Sequence, residues 1–294
     1  MSVLDRHRWL GVGYIVVVPI SFACNTALAS VAYADGATAF SVLTTRTAMA
    51  CLALFCILKL LGVSVVLPPA KRYAALAMGV MLGTYSYGLL GAIQYMPLAL
   101  AVITFYIYPL LVGVASWALG YERMNWSLGG ALFVAFVGLA LALDVFGGTL
   151  SPIGFALAAS GAVLNTVLSL INSRLVGRGG DSRAFSLHML ATGTLTYVVA
   201  DLVIGGFPLP HTAIGLAAFL GVGVFYGFSI VGIFVVISWL GPARAALTQN
   251  IEPITSVFIG TVLLHQAMKP TQLLGAGLVL SAILFSAWRR TKRT

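Results

Sequence analysis

Charge is what this sequence has least of. Only 8% of its 294 residues are charged, and only seven are acidic. An ordinary soluble domain carries about 25%. A water-facing surface cannot be built from so few charges, so a soluble globular enzyme and a disordered chain are both excluded. Cysteine is scarce as well. Cys24, Cys51 and Cys56 all fall inside apolar runs. That odd count gives no disulfide framework, and no CxxC metal spacing occurs. Four histidines, His7, His188, His211 and His265, form no i, i+4 metal pair. A GxxxxGK[ST] loop is missing, which argues against a nucleotide-driven pump, and so are the HExxH and Ser-His-Asp patterns of a hydrolase. The expectation is no enzyme, no metal and no cofactor.

Apolar sequence is what remains. Hydrophobic residues make up 60% of the chain, and the mean hydropathy is +1.04. A helix needs roughly 20 residues to cross the hydrocarbon core. Ten apolar spans can be marked: 9–32, 37–61, 73–93, 98–120, 126–144, 152–175, 184–205, 212–239, 243–264 and 271–288. Helix is the expected state, because backbone in lipid must satisfy its own hydrogen bonds and the alternation of a barrel strand is absent. Turn residues separate the spans: Asp35-Gly36, Pro68-Pro69, Gly147-Gly148, Gly179-Gly180, Pro208 and Pro210. The first span is longer than the apolar stretch of a signal peptide and reads as an uncleaved anchor.

The charges that exist are ordered. Arg46 lies inside span two and Lys269 in the last outer loop; the other 14 of the 16 Lys and Arg alternate onto one side. By the positive-inside rule both termini are cytoplasmic, in a multi-pass protein of the plasma (inner) membrane. Trp9, Trp117, Trp126, Trp239 and Trp288 map to the same ends of their spans, where amphipathic rings belong. The net charge of +9 is therefore a topology signal and an attraction to anionic lipid, not a nucleic-acid footprint.

The chain repeats itself. At an offset of 144, residues 79–109 match 223–253 at 10 of 31 positions, including Gly79/Gly223, Gly83/Gly227, Gly88/Gly232 and Pro109/Pro253. At an offset of 140, Asn25-Thr26-x-Leu28 matches Asn165-Thr166-x-Leu168. Two halves of five spans follow, 1–147 and 148–294, forming one structural unit. Five is odd, so the second half must enter the membrane in the opposite sense. Inverted repeats of this kind belong to secondary transporters, whose halves exchange conformations about a midmembrane site.

Arg46, the Glu122-Arg123 turn followed by Gly129-Gly130, and Glu252-Pro253, set in this duplicated frame, resemble the drug/metabolite transporter superfamily and its EamA-type exporters. The likeness covers nearly the whole chain. It implies ten helices in a five-plus-five inverted repeat and the export of small metabolites. Tyrosine-rich spans three and four make the chain similar to aromatic amino-acid exporters of the YddG type. One departure is Gln266, which stands in the second half where the first has Glu122.

Each candidate residue has two readings. Arg46 lies roughly 14 Å deep, counted at 1.5 Å per residue, and Glu252 reaches a similar depth from the opposite side. Both could serve a zwitterion or a proton-coupled step; equally, both could be held by polar neighbours and fix helix packing. Pro109 and Pro253 remove backbone donors at equivalent mid-span positions, as hinges or as static kinks, and Pro19 resembles them in span one. Tyr85, Tyr87, Tyr106, Tyr108 and Phe105, echoed by Tyr226 and Phe228, either wall a cavity for an aromatic or cationic ligand or pack the core. Tyr85 and Tyr87, two apart, cannot share a face. Asn25, Asn165, Thr104 and Thr248-Gln249-Asn250 either bond between helices or converge on the cavity. The glycine pairs favour close helix packing, with dimerisation as the lesser reading; a monomer is expected.

The expected substrate-binding set is Asn25, Arg46, Tyr85, Tyr87, Tyr106, Asn165, Tyr226 and Gln249, with Glu252 as a coupling or structural charge. Spans one, three, four, six, eight and nine should line the cavity. The expected function is alternating-access export of amphiphilic metabolites, aromatic amino acids first, with protons as a further partner. A carrier of another metabolite or a cationic drug is the alternative; a channel or membrane-embedded enzyme is more remote.

Overall fold

The computed structural model describes residues 3–93, 95–96, 98–121, 126–145, 151–176, 183–204, 206–264 and 269–291, and their regular structure is entirely helical. Twelve helices occur: α1 (Val3–Ala34), α2 (Ala39–Leu60), α3 (Pro69–Ile93), α4 (Leu98–Phe105), α5 (Tyr108–Ala118), α6 (Trp126–Ala142), α7 (Pro152–Val176), α8 (Arg183–Ile204), α9 (Ala213–Leu240), α10 (Pro242–Thr248), α11 (Ile251–Leu264) and α12 (Pro270–Thr291). They make ten crossings, because α4 with α5 and α10 with α11 each form one broken span. Among the described residues, six segments are long and apolar enough to cross a membrane alone, and Trp126–Ala142 and Pro270–Ser286 are shorter apolar helices. The Glu122-Arg123, Gly147-Gly148 and Gly179-Gly180 turns, with His265 and Gln266, lie outside the described residues.

The two breaks fall at matched places, Tyr106–Ile107 and Gln249–Asn250. They lie two to four residues before Pro109 and Pro253, not at the prolines themselves. The reason is local. A proline has no N–H to offer the carbonyl four residues back and its ring clashes there. The Gln249 carbonyl, left free by Pro253, is instead taken by the Glu252 N–H at 3.0 Å. Pro19, by contrast, lies within a continuous helix.

The glycines matched in the repeat do matched work. A Cβ on Gly79 would lie 2.7 Å from Thr192 of α8, and one on Gly223 would lie 2.9 Å from the Met49 Cβ of α2. Gly83 meets Thr196 of α8 as Gly227 meets Ala50 of α2; Gly88 meets Leu157 and Gly161 of α7 as Gly232 meets Val18 of α1. Each of these contacts between the halves thus has its counterpart under the duplication. The broadest packing, α1 on α9, α3 on α7 and α8, α2 on α8 and α9, and α6 on α12, always joins one half to the other.

Ten crossings bring residues 3 and 291 to one end, called here the terminal end; the opposite one is the far end. At the far end Lys269 pairs with Asp144, which gives the one lysine placed away from its fellows a local partner. Asp35, also there, accepts from Thr212 N at 2.8 Å and Thr212 Oγ1 at 2.9 Å. The backbone N–H of Thr212 is the main reason this carboxyl is held below its ordinary range.

The two ends are packed differently. Toward the terminal end one continuous cluster joins α1, α2, α3, α7, α8, α9 and α10, including Val18, Leu54, Leu58, Met78, Phe185 and Phe234. A second large cluster follows α4, α5, α6, α11 and α12 along the span, and toward the far end two small clusters stand apart from both, one of Ala29, Ala32, Val42, Phe219 and Val222 and one of Ala92, Met96, Ala101 and Ala158. Likewise α5 packs against α10 at the terminal end, whereas among the described residues their repeat counterparts α11 and α4 form no comparable pair at the far end. The bundle is shut at the terminal end and parted at the far end.

Candidate functional site

Arg46 lies in the middle of α2, where its cation needs protein or water around it. Its guanidinium carbon stands 4.2 Å above the centre of the Tyr226 ring of α9. Tyr33 of α1, Tyr85 of α3 and Tyr197 of α8 lie within electrostatic reach of it. Four other helices thus enclose this side chain, yet it is only half-buried, so it borders a space inside the bundle and not lipid. A cation on a tyrosine face gains roughly 0.5–2 kcal/mol, more as it loses water. Nε is buried without a partner. Tyr197 donates to the Leu82 carbonyl at 3.3 Å, and Ser86 stands between Tyr85 and Tyr197.

Glu252 sits just past the break on α11. Thr26 of α1 donates toward its Oε1 at 3.5 Å, and the Tyr106 hydroxyl points to the same carboxylate. Tyr106 also abuts Phe105 and Tyr108 at ring separations of 5.9 and 5.6 Å, and Tyr85 stacks on Phe105 at 6.0 Å. The aromatic wall is therefore continuous from the Arg46 side to the Glu252 side. Arg46 and Glu252 feel each other's charge, but no ion pair joins them among the described residues. Thr26, Ser30 and Tyr33 follow at i, i+4 and i+7 on α1, and all three are exposed. On that exposed face Thr26 reaches Glu252 and Tyr33 reaches Arg46, and Ser30 between them lies toward the far end.

Comparison with known proteins agrees with this architecture. The model of the EamA-like transporter family matches twice, over residues 9–143 and 152–288. The chain belongs to the EamA-like transporter family. It is a membrane transporter with the two-repeat EamA architecture. A chain of known crystal structure is similar over 93% of this EamA-family chain and 96% of its own, at 18% identity and a TM-score of 0.77, a likeness of fold. No curated protein matches the chain.

The other expected residues of this EamA-family protein fall as follows. Tyr85, Tyr106 and Tyr226 stand in the aromatic wall around the two charges. Tyr87 does not: it is 42% exposed and stacks on Phe40 at 5.5 Å, on the opposite side of α3 from Tyr85. Phe228 is exposed against Tyr14. Asn25 and Gln249 are buried, and Asn25 Oδ1 and Gln249 Oε1 have no partner; Asn165 is half-buried. Asn250 is spent on its own helix, donating to the Leu247 carbonyl at 3.0 Å. Span seven, expected among the supports, contributes Tyr197. Tyr33, Ser86, Tyr197 and buried Asp201, which accepts from Thr44, are not singled out by sequence. Only the helical phase of Tyr197 and Asp201, four apart on α8, signals them. Among the described residues no group of His, Cys, Asp and Glu could hold a metal.

Proposed function

We propose that the chain exports small amphiphilic amino acids, aromatic ones first, by alternating access through the hollow between its halves. One observation carries this reading. A cation and a carboxylate face the same interior without neutralising each other, and a continuous tyrosine and phenylalanine wall joins them. A zwitterion with an aromatic side chain complements all three features: its carboxylate to Arg46, its ammonium to Glu252, its ring to the wall. Asn25 Oδ1 and Gln249 Oε1 are buried acceptors that suit the ammonium. The halves, 1–147 and 148–294, rock about this site, and the positive-inside rule makes the terminal end cytoplasmic. The hollow in this state then faces away from the cytoplasm. The protein works as a monomer in the inner membrane, and Glu252 is the group through which protons would couple.

Reconstitution in liposomes tests this. Radiolabelled tryptophan, phenylalanine, threonine and a quaternary amine are loaded with and without a pH gradient. Saturable, protein-dependent flux of tryptophan and phenylalanine is expected, with threonine slower. Flux of the quaternary amine alone would favour the cationic-drug reading, to which Glu252 and the tyrosines also lend themselves. No flux of either aromatic amino acid overturns the proposal.

A further inference from the structure

Buried polar atoms without protein partners fall at distinct levels of the molecule. One set, on Asn25, Arg46, Tyr226 and Gln249, surrounds the central site. Another sits near the shut terminal end, on Ser116, Asn172, Ser186 and Arg244. An unpaired buried polar group costs about 1–3 kcal/mol, so a repeated occurrence in one place asks for a reason.

Ser116 and Arg244 are the pair whose placement is most informative. Ser116 is the third residue from the terminal end of α5, and Arg244 is the third residue from that end of α10. These two segments pack on each other there. Ser116 is fully buried with a free Oγ, and Arg244 is half-buried with a free Nε. Among the described residues no carboxylate forms an ion pair with Arg244. Both also lie on tracks that run to the central site. On α5, Tyr108, Val112 and Ser116 share one buried face. On the ninth span, Arg244, Thr248 and Glu252 follow at intervals of four. One helical turn separates neighbours in each track, so both lead from the terminal end to the aromatic wall.

We propose that Arg244 and Ser116 form a second, loading site at the terminal end, which takes the carboxylate of the substrate before it reaches Arg46 and Glu252. This rests on the amino-acid reading above. The guanidinium and the hydroxyl are donors suited to a carboxylate and to nothing apolar. In the present state α5 and α10 press together and bury the Ser116 hydroxyl and the Arg244 Nε. Parting of the terminal end, as the far end is parted now, exposes them to the solution on that side. The α4–α11 counterpart has Leu100 where α10 has Arg244, so the device belongs to one face only.

The test compares the two faces of the full-length protein in liposomes of known orientation. Half-saturation by labelled tryptophan is measured at each face with saturating unlabelled tryptophan opposite, and again with tryptamine, which lacks the carboxylate. Arg244→Gln should raise the tryptophan value at the terminal-end face about tenfold. It should leave the far-face value and the tryptamine values within about twofold. Arg244→Lys should restore part of the loss, and Ser116→Ala should reproduce a smaller one on the same face. Equal effects at both faces, or an equal effect on tryptamine, would overturn the loading site. A wild-type protein that moves neither compound overturns the amino-acid reading instead. If Arg244→Gln fails to fold, the face-selective loss in Ser116→Ala decides the matter.

Discussion

At the scale of the residue, the proposed chemistry turns on Arg46. Its charge is held by the Tyr226 ring face and the Tyr197 hydroxyl and not by an acid, which leaves Nε for a ligand. Arg46→Lys keeps the charge but loses the planar fork and the stacking. We expect it to lower tryptophan flux at least tenfold at unchanged expression; wild-type rates would remove Arg46 from the site. Tyr226→Phe should cost little, since the hydroxyl has no partner, whereas Tyr226→Leu should weaken binding by about tenfold through loss of the cation–π face. Isothermal titration with tryptophan separates the two. Arg46 and Glu252 were legible in the sequence because charge in an apolar span is rare. Tyr33 was not, because a tyrosine at a span end reads equally well as an interfacial ring, and Tyr197 was not, because a lone tyrosine inside an apolar span reads equally well as core packing. Asp35 supplies the pH dependence. Its carboxyl lies below the ordinary range in the folded state, so its contribution is complete above the unfolded value of about 3.9 and fades as pH falls through the lower folded value. Thermal melts of wild type and Asp35→Asn should therefore differ at pH 7 and converge on strong acidification; a gap that persists in acid would contradict this.

At the scale of the helix, glycine and proline do the shaping. Gly79→Ala pushes a methyl onto the α8 backbone and Thr192, and overpacking of this kind costs about 1–3 kcal/mol. Gly129→Ala meets nothing within 4 Å and should be neutral or mildly stabilising. A melting comparison of the two variants checks the assignment of helix contacts. The ten spans were legible to within a few residues because length and hydropathy set them. The two breaks lie in the turn before Pro109 and Pro253, where the backbone effect of a proline falls. Pro109→Ala and Pro253→Ala restore the missing N–H groups, and we expect slower tryptophan exchange with half-saturation little changed.

At the scale of the whole molecule, the duplication explains the asymmetry now seen. Thr26 and Ser30 of α1 are exposed at the far end, while their partners at the 140-residue offset, Thr166 and Leu170 of α7, are buried toward the terminal end. Two like halves in unlike surroundings have a mirror state of similar energy, in which the exposures exchange. The repeat and its inverted sense were readable from matched glycines and an odd span count. Which end stands open was not, because that depends on packing between halves and not on any local pattern. The most direct measurement follows from the exchange. Ser30→Cys and Leu170→Cys are made separately in a chain lacking Cys24, Cys51 and Cys56, and each is labelled by an impermeant maleimide from its own face during imposed tryptophan gradients of either direction. The account predicts that reversing the gradient raises one labelling rate as it lowers the other. Rates that stay fixed at both positions while tryptophan is carried would contradict it.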